Sequence, residues 1–181
     1  FSRGNNFPAT AVPHGFNFWT PVTDAGTLTW LYRWNEHNGA DNRPRLQALS
    51  LSHHPSPWMG DRQTFQVMPS LTAGVPDADR SRRALGFSHD DEQARPYRYA
   101  VQLDNGIHAE IAPTDHAALF RFRFPARGDA NLLFDNVDAR GGLKLDAATQ
   151  TLSGYTDVRS GLSTGATRMY VYASFDRPWH S

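Results

Sequence analysis

The sequence predicts an all-β fold: an antiparallel β-sandwich of about ten or more short strands with little helix. Helical periodicity is nearly absent, and short runs alternate between apolar and polar residues with a period of two. Gly, Pro, Asn and Asp separate these runs at intervals of about 8–12 residues, which is typical of sandwiches. We expect residues 1–181 to form one domain, because this length gives a single substantial core.

The N-terminal half contains four predicted strands. His14–Thr20 is the first, and Leu46–Leu51 and Phe65–Met68 are the third and fourth. The second, Thr27–Trp34, alternates strictly, so one of its faces would carry Leu28, Trp30, Tyr32 and Trp34. The breaker-rich stretch Ala73–Arg83 is predicted to be a surface loop with at most one helical turn.

The C-terminal half contains the clearest hairpin signal. Asp104-Asn105-Gly106 connects the runs Tyr97–Leu103 and Gly106–Ala112, and its Asn-Gly pair favours a tight turn. The charged stretch Gly86–Tyr97 is interpreted as a loop that leads into this hairpin. The remaining predicted strands are Ala118–Phe124, Leu132–Phe134, Leu143–Leu145, Thr151–Ser153 and Arg168–Phe175.

Aromatic residues at alternate positions are the predicted core. One face of the Ala118–Phe124 strand would be exposed to solvent and would carry Arg121 and Arg123. The opposite, buried set would face Val101 and Leu103 across the sandwich. This buried set comprises Phe120, Phe122, Phe124, Tyr170 and Tyr172.

Composition excludes several classes of protein. Lys and Arg number 18, as do Asp and Glu, so there is no excess of basic charge to bind nucleic acid. No apolar run approaches the ~20 residues of a membrane helix. Cysteine is absent, which excludes disulfides, cysteine–zinc sites and thiol chemistry. The chain begins with Phe and has no signal-peptide pattern, so we expect a processed product or an excised fragment.

A loop rich in His, Pro and Trp, residues 52–61, is the first candidate for a sugar site. An indole stacks on the C–H groups of a sugar, while imidazole and carboxylate groups bind its hydroxyls. The alternative is a proline-stiffened loop in which Trp58 fills an edge of the core. The predicted strand Thr27–Trp34 is expected to lie next to this loop, because sequential strands are usually neighbours. The candidate substrate-binding residues are therefore Trp30, Trp34, His53, His54, Trp58 and Asp61.

No catalytic residue or metal ligand is assigned from the sequence. Glycoside hydrolysis usually needs two carboxylates, yet Glu occurs only at Glu36, Glu92 and Glu110. Glu36 and Glu92 are predicted to lie in loops beside histidines, whereas Glu110 is predicted to lie on an exposed strand face. Adjacent histidines on a strand point to opposite faces, and no HxH, HExxH or GxSxG spacing occurs.

Six ordered motifs resemble the N-terminal β-sandwich domain of glycoside hydrolase family 92, the calcium-dependent α-mannosidases. The resemblance covers nearly the whole chain. The matching segments are Gly4–Ala9 with Val12–Phe16, Trp19–Pro21, Leu51–His54, Val67–Pro69, Phe87–Tyr97, and Ile107–Thr114 followed by Arg121–Pro125. The chain departs from the family at Pro55–Gly60, where the family has a glycine-rich L-S-G-T-G; this loop is stiffer here and carries an extra indole.

The resemblance implies an accessory domain of an inverting, exo-acting α-mannosidase that helps to close the cleft around a mannose-containing glycan. In the family, the catalytic acid and base belong to a following (α/α)6 barrel, which is absent here. Calcium would be held mainly by that barrel, and the protein would be secreted or periplasmic. We therefore expect this chain alone to be inactive. Two alternatives stay open: an independent carbohydrate-binding module without activity and a self-contained hydrolase.

Overall fold

The computed structural model describes residues 8–27, 29–34, 43–52, 63–136, 139–159 and 168–180. No α-helix occurs in these residues, and the all-β prediction is confirmed. The strands are β1 (Phe18–Val22), β2 (Arg45–Leu46), β3 (Ala48–Ser52), β4 (Gln63–Ser70), β5 (Leu85–Arg95), β6 (Arg98–Leu103), β7 (His108–Pro113), β8 (Ala118–Arg123), β9 (Asn131–Asp135), β10 (Gly141–Asp146), β11 (Thr151–Thr156) and β12 (Met169–Ser174).

The strands form three antiparallel sheets that together make a sandwich. The four-stranded sheet has the order β1-β3-β4-β9, the five-stranded sheet β2-β5-β6-β7-β8, and the three-stranded sheet β10-β11-β12. In the four-stranded sheet, Trp19 lies opposite Leu51 and Leu51 opposite Phe65, so one face presents a continuous apolar row. The Trp19 indole meets the Phe120 ring edge to face, with centroids 5.1 Å apart, which joins this sheet to the five-stranded one.

The three-stranded sheet extends the same core. Phe134 on β9 stacks on Phe65 and meets Phe175 edge to face, with Phe175 directly after β12. Leu152 is fully buried in the core cluster, and Val171 and Ala173 pack against that cluster. The three sheets therefore share one hydrophobic core.

The described residues of segment 23–34 cover the other face of the four-stranded sheet, where Ala25 and Leu31 cluster with Val22 and Ala48. The predicted strand Thr27–Trp34 is wrong. None of its described residues belongs to a strand, and Trp30 has a φ of 57°, which breaks an extended backbone. The neighbours Leu31 and Tyr32 are both buried, unlike successive residues of a half-buried strand. Leu31 packs in a small cluster with Val22 and others, whereas Tyr32 belongs to the main core.

The predicted hairpin is confirmed, with β6 and β7 flanking Gly106, whose φ is 94°. The other strands are present near their predicted positions, but the first begins at Phe18, because His14 lies in a turn with a φ of 61°. The stretch 73–83 is a loop, as predicted. The stretch Gly86–Tyr97 was predicted to be a loop, but most of it belongs to β5.

The core prediction is partly wrong. Phe120, Phe122 and Phe124 do pack against the core. Phe122 pairs with Ala109, and Ala109 pairs with Val101. Phe122 therefore lies in the same sheet as Val101, two strands away, rather than across the sandwich from it.

Tyr170 and Tyr172 are 75% and 71% exposed, and they were wrongly predicted to be core. The strand β12 instead turns Val171 and Ala173 inward. The alternation in β12 was recognised, but the wrong set of residues was assigned to the buried face.

Candidate functional site

A wide bulge in β5 builds the main candidate site. Phe87 lies opposite Leu103, and the next paired residue, Glu92, lies opposite Val101. Four residues of β5 therefore span the distance that Gln102 alone spans on β6. Such a bulge bends the strand and redirects its side chains, in this case that of His89.

Glu92 is the centre of a buried hydrogen-bond network. Its side chain is only 4% exposed. The Tyr32 hydroxyl donates to Glu92 Oε1 and Oε2 at 2.8 and 2.6 Å, and the Tyr99 hydroxyl donates to Oε1 at 2.7 Å. His89 Nδ1 lies 3.0 Å from Glu92 Oε2 and 3.2 Å from the Tyr32 hydroxyl. The irregular segment 29–34, the bulge and β6 are thus joined through one carboxylate.

Both phenols of the network retain their protons. Burial raises the pKa of Tyr32, and the charge and hydrogen bond of Glu92 raise it further. Burial likewise raises the pKa of Tyr99 well above its ordinary value, with the Glu92 charge, Tyr32 and the hydrogen bond to Glu92 adding to the effect. The two tyrosines are therefore hydrogen-bond donors to the carboxylate.

An aromatic stack lies above this network. The Trp34 and His89 rings are 3.6 Å apart between centroids, with an interplanar angle of 22°, and Phe87 meets His89 edge to face at 5.7 Å. His89 is 22% exposed, and Trp34 is 51% exposed. We name Trp34 and His89 the aromatic platform. It combines an accessible indole with an imidazole fixed from below, the two groups that a sugar ring and its hydroxyls need.

The predicted site residues have mixed outcomes. Trp34 is exposed in the platform, whereas Trp30 is partly buried at its strained backbone position. His53, His54, Trp58 and Asp61 lie outside the described residues, so their site role stays a prediction.

Sequence reasoning missed Tyr32, Tyr99, His89 and Glu92 as members of one site. Two sequence features pointed to this site: the His-x-x-Glu spacing of His89 and Glu92, and the alternate positions of Tyr32 and Tyr99 within their apolar runs. Glu92 was predicted to lie in a loop, but it is a strand residue with a buried side chain.

A metal site built from clustered His, Cys, Asp or Glu side chains is absent from the described residues. Among them, no group of three or more His, Cys, Asp or Glu side chains is placed to hold a metal ion. The Glu92 oxygens already accept hydrogen bonds from Tyr32 and Tyr99 and contact His89 Nδ1, and Glu110 is bound by Arg98 and Arg123. Both carboxylates are therefore already engaged by groups of the domain itself.

A cavity of about 450 Å³ is a second concave feature of the described residues. It is lined in part by Arg80, Asp135 and Asn136. Arg80 Nε is already bonded to Asp135 at 3.0 Å, and Arg83 binds the same carboxylate at 2.9 Å. Because these charges satisfy one another, the aromatic platform is the stronger candidate for ligand binding.

Comparisons with known proteins agree on one family. The sequence profile of the glycosyl hydrolase family 92 N-terminal domain matches residues 2–181. A solved inverting mannosidase of family 92 from Bacteroides thetaiotaomicron is 30% identical and superposes with a TM-score of 0.85 over 98% of this chain. A family 92 α-mannosidase from the same organism, solved with mannoimidazole, is 23% identical, with a TM-score of 0.77 over 97% of the chain, and shares the fold.

A fungal protein from Arthroderma benhamiae, described as a secreted glycosidase, is 27% identical over 129 residues, or 67% of this chain. The chain spans 16% of the length of that fungal relative and 23% of the length of the inverting mannosidase. The similarity therefore covers nearly all of this chain in the solved mannosidases and two thirds of it in the fungal relative, and about a quarter or less of each relative.

None of the described residues forms a helix that is long and apolar enough to cross a membrane.

Proposed function

Because the chain belongs to the glycosyl hydrolase family 92 N-terminal domain family, we propose that it is the accessory domain of a longer, inverting, exo-acting α-mannosidase. Residues 1–181 form its β-sandwich, and a C-terminal (α/α)6 domain supplies the catalytic carboxylates. The substrate is a mannose-containing glycan bound in the cleft between the two domains. The length of the solved relative supports a longer enzyme, since this chain covers only 23% of it.

The aromatic platform is the observation that supports a substrate-facing role. The Trp34 indole is half exposed and stacks on the His89 ring. The buried Glu92 carboxylate fixes that ring through its contact with His89 Nδ1. This arrangement can stack on a sugar and bind a hydroxyl, but it is poorly suited to acid–base catalysis. Glu92 accepts hydrogen bonds from two phenols, contacts His89 Nδ1 and is shielded from solvent, so it is not available to move a proton at a glycosidic bond.

Calcium dependence and export belong to the same proposal. Calcium would act in the complete enzyme, with ligands mainly from the C-terminal domain. The fungal relative described as secreted supports export of the complete protein. A free-standing carbohydrate-binding module is less well supported, because the family match and the solved mannosidases both point to a domain of a longer enzyme.

Replacing Trp34 by Ala in the longer enzyme tests the platform. Loss of one stacking surface should lower kcat/KM on an α-mannoside by about 10- to 100-fold, equivalent to roughly 1–3 kcal/mol. Tm should change little, since half of the indole is already in solvent. Tyr172→Ala is the matched control, because Tyr172 is also an exposed aromatic residue but lies on the three-stranded sheet.

Equal kcat/KM values for Trp34→Ala and wild type would contradict the substrate-facing role. The 181-residue chain assayed alone should release no mannose from aryl or disaccharide mannosides. Turnover by this chain that disappears on Glu92→Gln would instead favour a self-contained hydrolase.

A further inference from the structure

We propose that Glu92 holds His89 in the tautomer protonated on Nδ1, so that Nε2 accepts a hydrogen bond from a glycan hydroxyl. This inference rests on the function proposed above and deepens it. His89 becomes a specificity-determining residue, and Glu92 becomes the positioning residue that acts through it.

Counting the protons of the network assigns the tautomer. Each phenol has one hydroxyl proton, and Tyr32 and Tyr99 both direct theirs to Glu92. The Tyr32 oxygen can therefore meet His89 Nδ1, 3.2 Å away, only as an acceptor. Glu92 Oε2, 3.0 Å from the same nitrogen, is also an acceptor. A proton on Nδ1 satisfies both contacts, whereas an unprotonated Nδ1 would face two acceptors with nothing to donate.

The other ring nitrogen is accessible. Nε2 lies across the imidazole ring from Nδ1, which points at the buried Glu92 carboxylate. Within the described part of the chain, Nε2 of His89 has no hydrogen-bond partner and is not among the buried polar atoms that lack one. With the side chain 22% exposed, this nitrogen is therefore open to solvent at the platform.

The chemistry of Nε2 defines what it binds. In the neutral ring protonated on Nδ1, Nε2 has a lone pair and no proton, so it selects a donor such as a sugar hydroxyl. Trp34 beside it offers an apolar ring for the C–H face of the same sugar. An acceptor fixed in advance by a second residue discriminates against a sugar that lacks the matching hydroxyl.

Nitrogen NMR tests the tautomer without any assay of activity. Long-range ¹H–¹⁵N spectra of the labelled chain, recorded under mildly alkaline conditions, should show a protonated Nδ1 and an unprotonated Nε2 for His89. The exposed His14 is the internal control and should show mainly the Nε2-protonated form that a free histidine side chain favours. A His89 protonated on Nε2 would overturn the proposal.

Two matched variants separate the influence of Glu92 from that of Tyr32. Tyr32→Phe should keep the Nδ1-protonated form, because Glu92 still accepts from it. Glu92→Gln should lose the preference, because the amide provides one acceptor oxygen in place of two and adds a donor. An unchanged tautomer in Glu92→Gln would show that Glu92 does not set it. If Glu92→Gln fails to fold, the wild-type and Tyr32→Phe spectra still decide the tautomer.

Monodeoxy α-mannosides test the hydroxyl contact in the longer enzyme. Wild type should lose about tenfold in kcat/KM on the analogue that lacks the recognised hydroxyl. His89→Ala should lose a similar factor on the parent substrate but nothing further on that analogue. If His89→Ala loses the same factor in kcat/KM on every substrate, the hydroxyl contact is contradicted but the tautomer is not. Absence of wild-type turnover would contradict the proposed function and the hydroxyl contact together, and the spectra would still report the tautomer.

Discussion

The two faces of the five-stranded sheet each hold a glutamate, and they do so in opposite ways. Glu92 on the inner face is 4% exposed and meets only phenols and an imidazole. Glu110 on the outer face is 16% exposed and lies 2.9 Å from Arg98, 2.8 Å from Arg123 and 3.2 Å from His108. One carboxylate is satisfied by buried hydrogen-bond donors, the other mainly by exposed cations.

The inner glutamate therefore fixes the geometry of the site, whereas the outer one contributes to stability in a pH-dependent way. A buried carboxylate must keep every hydrogen bond, so each partner of Glu92 is confined to one position and orientation. A partly exposed carboxylate whose cationic partners are themselves exposed can exchange those partners for water, so the ion pairs of Glu110 are individually replaceable. We therefore expect the inner glutamate to control the aromatic platform and the outer one to affect stability only modestly.

The largest expected effect is that of Glu92→Ala. This change leaves the buried Tyr99 hydroxyl and the Tyr32 hydroxyl without their acceptor and opens a cavity, so it should cost about 3–5 kcal/mol of unfolding free energy. Glu110→Ala, the matched control on the other face, should cost about 1 kcal/mol or less. Urea unfolding of both variants measures the contrast, and equal losses would contradict it.

An intermediate effect is expected for apolar residues on the same two faces. Phe122 packs against the core, whereas Leu119 on the same strand is 67% exposed. Phe122→Ala should cost about 2–4 kcal/mol, somewhat less than a fully buried Phe, and Leu119→Ala less than about 0.5 kcal/mol. Thermal or urea unfolding tests this pair. A larger loss for Leu119→Ala would mean that the register of β8 is reversed.

The features that the sequence predicted correctly depend on local chemistry. Asn105-Gly106 specifies its hairpin because the turn needs a residue that tolerates positive φ. Phe120 and Phe122 were assigned to the correct face because arginines occupy the alternate positions. In β12 the alternate set consists of tyrosines, which are amphipathic and suit either face, so the pattern did not exclude the wrong choice.

The candidate site was harder to predict because it depends on contacts between distant segments. Alternation alone could not distinguish the covering segment that carries Tyr32 from a strand. Tyr32 is 60 residues from Glu92 along the chain, and a four-residue bulge brings His89 to the same place. The scarcity of Glu and the resemblance to a family both drew attention to Glu92 beside His89, but neither indicated that two tyrosines bind the carboxylate.

The smallest effect sharpens the comparison through pH. The hydrogen bond from Arg98 lowers the pKa of Glu110 below its usual value, and the charges of Arg98, His108 and Arg123 add to this. A carboxyl whose pKa is lowered by folding stabilises the protein above its unfolded pKa and loses that contribution as pH falls through its folded pKa. The advantage of wild type over Glu110→Gln should therefore be present near neutral pH, at about 1 kcal/mol or less, and vanish as pH falls through the lowered, folded-state pKa of Glu110. Urea unfolding at several pH values measures it, with Leu119→Ala as an uncharged control whose effect should not vary with pH. A difference between wild type and Glu110→Gln that stays constant from neutral to acid pH would show that Glu110 acts through packing rather than through its charge.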